Sequence, residues 1–162
     1  MTDLTDEQKA EYFRRSYTAV DGLWFMKVEE RYGLDAALEL DEDVWKVLPK
    51  IQARAMKAML NLDGGLDGLQ WALSARLALE GFEFDLAREE SSLRVIIRRC
   101  PWHDLLIRSG REKISQKVSD IICRVENTTW ASEFADGGGE IGWERAERIC
   151  RGADRCVMRF GR

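Results

Sequence analysis

FEFDLAREESSLRVIIRRC, residues 82–100, decides the fold. Its first five positions alternate apolar and charged, its second half is rich in β-branched residues, and EESS between them suits a tight reversal. That spacing predicts a β-hairpin. The chain before it has a different period. Residues 5–32 carry Phe13, Tyr17, Val20, Trp24 and Val28 at three- and four-residue intervals, behind a capping Thr5 and ahead of Gly33, the pattern of an amphipathic helix. Residues 35–61 continue in that style through Val44, Leu48, Ile51, Ala55 and Met59, and Pro49 either kinks this helix or opens a new one. After NLDGG at 61–65, LDGLQWALSARLALEG reads as a further helix closing at Gly81.

Downstream, helical spacing returns in residues 111–134 through Ile114, Val118, Ile121, Ile122, Val125 and Thr129, and the glycines at 137–139 break it. EIGWERAERICRGADRCVMRF, 140–160, reads as two strands folded about RGAD. The expected fold is α+β: an N-terminal helical layer packed on an antiparallel sheet of about four strands, formed by two hairpins separated by a helix. One domain over 1–162 is expected, with residues 1–81 as its helical part and 82–162 as its hairpin-helix-hairpin part.

Composition narrows the function classes. A net charge of −4, from 29 acidic and 25 basic residues, argues against a phosphate-backbone binder, so no nucleic-acid partner is expected. No apolar run approaches the roughly 20 residues a bilayer requires, so no membrane partner is expected either. The N-terminus is acidic where a secretory signal would be basic and then apolar, which points to the cytoplasm. The four cysteines all fall in the second half and read as thiols, ligands or redox groups rather than as a disulfide framework.

Those cysteines supply the candidate chemistry. Pro101 cannot donate to a ladder, so Cys100 sits at a strand end, where a rigid element delivers a side chain to an irregular loop. His103, the single histidine, follows three residues later and is a candidate proton carrier beside it. On the helix of 111–134, Cys123 shares a face with Glu126, Asn127 and Trp130, so a thiol, a carboxylate and a carboxamide line one stripe. That stripe is either a solvated face or one side of a site. In the first helix, Asp21 falls a turn from Tyr17, Trp24 and Phe25, which brings a carboxylate to the apolar face, where it either joins a local network or lines a pocket. Cys150 and Cys156 flank the last turn, but a C-x5-C spacing with one C-x2-H element is a weak zinc signature, so no cofactor is expected, with a structural zinc as the alternative.

Three resemblances join these elements. DGLWFMKVEERYGLDAALELDEDVWKVLPKIQAR, 21–54, is similar to the leading segment of a poorly characterised bacterial and archaeal group. That group places it before a hairpin, a cysteine, a cysteine-bearing helix and a C-terminal cysteine pair. The second half loosely resembles the 2-amino-thiazoline-4-carboxylate hydrolase family in Cys100-Pro101, in Cys123 with Glu126, and in the run from Cys156 to Phe160. RICRGADRCVMRF is also similar to the end of the four-vinyl-reductase small-molecule-binding domain. The last resemblance implies helices on an antiparallel sheet and a hydrophobic ligand; the glycine-rich segment that accompanies its metal-binding cysteines is not recognisable. The hydrolase resemblance implies opening of a cyclic amidine-like ring.

Three functions follow as expectations. The first is a small-molecule-binding domain with a pocket lined by Asp21, Trp24, Cys100, Cys123 and Glu126, with Asn127 and Trp130 as further ligand contacts. The second is a cysteine-dependent hydrolase of a non-peptide carbon-nitrogen bond, in which Cys100 or Cys123 attacks or orients and Glu126 or His103 shuttles protons. The third is a metal- or redox-responsive regulator. The expected partner is a small-molecule ligand, and a homodimer is compatible with the sequence.

Overall fold

The structure is a computed structural model that describes residues 3–135 and 139–161. Two of the glycines expected to break the last long helix, Gly137 and Gly138, fall outside the described residues. Helix α1, Asp6–Tyr32, begins where Thr5 closes a capping box: its hydroxyl accepts from the Gln8 amide at 3.2 Å, and the Gln8 side chain accepts from the Thr5 amide at 2.9 Å. It stops at Gly33, whose φ of 88° only glycine adopts without strain.

Helix α2, Leu34–Leu60, runs through Pro49 without a break, so the proline does not start a new helix. Pro49 costs one intrahelical hydrogen bond, which its near-complete burial helps to offset. Helix α3, Gly65–Glu80, ends at Gly81 in the left-handed conformation, as expected. Strands β1, Glu83–Arg88, and β2, Ser92–Arg99, form the hairpin.

A second difference follows β2. Residues 101–108 are not an irregular loop but helix α4, Pro101–Arg108. The proline that ends the strand also opens this helix at its first position, where a missing N–H costs nothing. Helix α5, Glu112–Glu133, strand β3, Gly142–Glu147, a single 3-10 turn, Ile149–Arg151, and strand β4, Cys156–Gly161, complete the chain. The antiparallel sheet has the order β1-β2-β4-β3, so the last strand inserts between the first hairpin and β3.

Backbone contacts group the chain into two compact units, residues 1–43 and 44–162. The first holds α1 and the start of α2. The second holds the sheet and its core. Register sets the inward rows of that sheet. Leu93 lies opposite Phe160, which lies opposite Trp143; Val95 is opposite Met158, which is opposite Arg145; and Ile97 is opposite Cys156. Onto this face pack Leu69, Ala72, Leu73 and Leu77 of α3, and Trp130 and Ala131 of α5 with Phe134 just beyond it. The period-2 pattern of the strands and the helical stripes of α3 and α5 thus meet in one core. No helix among the described residues is long and apolar enough to cross a membrane.

Candidate functional site

The inward rows end in sulfur. Cys156 opens β4 opposite Ile97, Cys100 follows β2 as the residue capping α4, and Cys123 comes from the middle of α5. Three elements therefore deliver three half-buried thiols, all free, to one end of the sheet. They lie close enough for their charges to act on one another. A thiolate at Cys123 or at Cys156 would raise the pKa of Cys100, and one at Cys123 would raise that of Cys156.

Burial dominates the acidity of all three. It pushes Cys100 far above the ordinary thiol range, reinforced by Cys123, although the amides of His103 and Trp102 in the first turn of α4 pull the other way. It also raises Cys123, against the pull of the Arg145 guanidinium, and it raises Cys156. Buried thiols with such values are protonated at neutral pH and are weak nucleophiles. Cys123 additionally shares a hydrogen bond with the Ser119 hydroxyl at 3.4 Å, one helical turn before it.

The stripe of α5 expected to be either solvated or functional is buried. Glu126 and Asn127 are almost fully enclosed, and Trp130 is completely so. Glu126 meets a cation that sequence reasoning missed, Arg76 of α3, at 2.8 Å, and Arg76 also holds Glu80 at 3.2 Å. A single buried guanidinium between two carboxylates leaves negative charge in a poorly solvated place. Burial raises Glu126 to about 7 even though Arg76 opposes the shift, and nearby Glu80 adds to it. Glu126 is close enough to Cys123 to raise that thiol further.

The remaining expected residues divide. Asn127 donates to the Cys123 carbonyl at 2.6 Å on its own helix, a local bond rather than a group turned toward a ligand. Trp130 is a core residue, stacked on Phe134 at 6.2 Å between centroids and covered by Arg76 at 5.4 Å. The His103 ring holds the Ser115 hydroxyl of α5 through Nδ1 at 2.7 Å, and it is the His103 backbone amide that acts on Cys100. Asp21 and Trp24 lie on α1 in the first compact unit, the thiols belong to the second, and Trp24 is 41% exposed.

Arg145 is the other residue missed. The run GWERAE alternates, and alternation puts Arg145 on the same inward side as Trp143, an unusual place for a cation. That phase was the available signal. Its Nη1 donates to the Ser119 hydroxyl at 2.9 Å and its Nη2 to the Ser119 carbonyl at 3.3 Å, which ties β3 to α5 beside Cys123.

No group of three or more histidine, cysteine, aspartate or glutamate side chains among the described residues is placed to hold a metal ion. Two open depressions lie elsewhere. One of about 630 Å³ is lined by Arg98, Glu147, the turn at 152–154 and Arg155, and one of about 330 Å³ lies around Trp143, Glu144 and Arg159. Neither contains a thiol.

The fold and this sulfur-lined end define an α+β domain with helices on a four-stranded antiparallel sheet. The chain belongs to the family described as a family of unknown function (DUF6125), matched over residues 5–137. Its fold is also similar to that of a trafficking protein particle complex subunit 3 from Naegleria fowleri, crystallised covalently bound to palmitic acid. The TM-score is 0.58 at 14% identity, over 93% of this chain and 95% of that one. No curated protein matches the chain significantly.

Proposed function

We propose that the chain is a small-molecule-binding domain whose ligand is received at the sulfur-lined end of the sheet, among Cys100, Cys123 and Cys156. The observation that carries this reading is that Cys100, just after β2, Cys123 of α5 and Cys156 of β4 lie within electrostatic reach of one another and beside two buried, charge-bearing side chains, Glu126 and Arg145. Such a mixture, apolar and polarizable with a few fixed polar groups, suits retention of a ligand with an apolar body. Two further points support it: the architecture that the four-vinyl-reductase resemblance implies, and the likeness in fold to a protein bound to palmitic acid. That likeness makes an acyl chain a reasonable first probe.

The hydrolytic alternative is weaker on physical grounds. Attack on a carbon-nitrogen bond needs a thiolate, and burial opposes one at both Cys100 and Cys123. A proton held by Glu126 near neutrality would serve a general acid, but the same proton leaves that carboxyl a poor base for the nearby Cys123.

Native mass spectrometry of protein purified without additives, together with a thermal-shift screen of apolar small molecules, tests the binding reading. A retained ligand mass, or a compound that raises Tm in a concentration-dependent manner, is expected. Absence of both across acyl, isoprenoid and aromatic compounds would remove it.

A further inference from the structure

Arginines at positions 145, 148 and 151 converge on one carboxylate. Arg148 contacts Oδ1 of Asp120 at short range, Arg151 meets Oδ2 at 3.0 Å, and Arg145 Nη2 stands 3.7 Å from Oδ1. Three guanidiniums against one carboxylate leave an excess of positive charge. The nearby acid Glu147 does not relieve it, because it is paired with Arg155 at 3.0 Å.

The three arginines are graded in depth. Their side chains are 49% exposed at Arg151, 26% at Arg148 and 4% at Arg145, with Asp120 at 36%. They form a ladder of cations from solvent to interior. At its inner end, Arg145 has Met158 as its cross-strand neighbour and lies near Cys123, and its Nε has no hydrogen-bond partner. A buried cation that shares its counter-charge with two others and keeps an idle donor is under-compensated, which costs free energy until an anion arrives.

We propose that Arg145 anchors the carboxylate of a ligand with an apolar body, and that Asp120 is the resident carboxylate this head group displaces. The inference rests on the binding reading above and adds the chemical class of the head group. A carboxylate matches the planar fork of a guanidinium with a spare Nε–H. A phosphate dianion would bring more charge into a neighbourhood of neutral thiols and Met158, at a larger desolvation cost. The exposed Arg151 and half-buried Arg148 draw the anion inward.

The test is isothermal titration of the full chain with decanoate, 1-decanol and inorganic phosphate, on the wild type and on Arg145→Gln and Asp120→Asn. Loss of a charge-assisted pair predicts that decanoate binds about 10-fold to 100-fold more weakly to Arg145→Gln, while decanol, which carries no charge for the cation to hold, is weakened far less. Asp120→Asn, which removes the competitor, tightens decanoate binding and keeps the idea testable if Arg145→Gln fails to fold. Equal decanoate affinity in wild type and Arg145→Gln would overturn the anchor, as would weaker decanoate binding by Asp120→Asn. Binding of decanol without decanoate also overturns the anchor but leaves the binding reading standing, whereas failure of both probes on the wild type counts against both. Phosphate binding as tight as that of decanoate, and dependent on Arg145, would assign the cation to a free inorganic anion instead and overturn the proposal.

Discussion

Replacing Glu126 by glutamine should change how stability depends on pH. In the folded protein the buried carboxyl is raised from 4.5 to about 7, burial being the largest cause. Between those values the folded state binds more protons than the unfolded chain, so this group makes stability fall as pH rises. Its contribution is fully favourable below about pH 4.5 and is lost by the time pH passes 7. At 1.36 kcal/mol per pH unit, the loss comes to about 3 kcal/mol. Urea titrations of wild type and Glu126→Gln at half-unit steps from pH 4.5 to 8.5 measure it, because the difference between the two proteins removes the background titration of the other carboxylates. The wild type should lose about 3 kcal/mol more than the variant across that range. A flat difference, or one that rises with pH, would mean that Arg76 at 2.8 Å outweighs burial and that Glu126 is an ordinary ion-paired carboxylate.

Other consequences are simpler. At pH 8.5, iodoacetamide should modify Cys100 and Cys123 in the native protein at least about tenfold more slowly than in urea, since burial holds both thiols above their ordinary range; peptide mapping showing native rates equal to unfolded ones would refute this. Gly68→Ala should destabilise by about 3 kcal/mol or more in urea, because a methyl group there would collide with the Asp63 carbonyl and press on Phe134. A measured loss below 1 kcal/mol would show that the start of α3 relaxes freely. Thr5→Ala should cost the capping box about 1 kcal/mol, read as reduced protection of the first α1 amides in hydrogen exchange.

Much of this fold was legible because its signals are local. The alternation in 82–99, the β-branched run of β2 and the glycines at 33 and 81 each carry their own structural consequence, and the structure follows them. Residues 101–108 were harder. Pro101 marks a strand end and a helix start with the same side chain, and eight residues are too few for periodicity to decide. The site divides along the same line. Cys100, Cys123 and Glu126 were readable because sulfur and a same-face carboxylate stand out in sequence. The opposite partners were not, because Arg76 comes from α3 and Arg145 from a strand paired with the last one, and no local spacing links either to α5. Trp130 was ambiguous for the converse reason. An indole beside a thiol on a helix looks the same whether that face meets a ligand or, as here, the core.

Differential alkylation in the presence of a stabilising ligand tests the shared site most directly. Cys100, Cys123 and Cys156 come from three elements and lie within electrostatic reach of one another at one end of the sheet. A compound that raises Tm should therefore slow modification of all three by a common factor. Protection of one thiol alone, or stabilisation with every thiol rate unchanged, would mean that the ligand is held elsewhere and that the three sulfurs are only core.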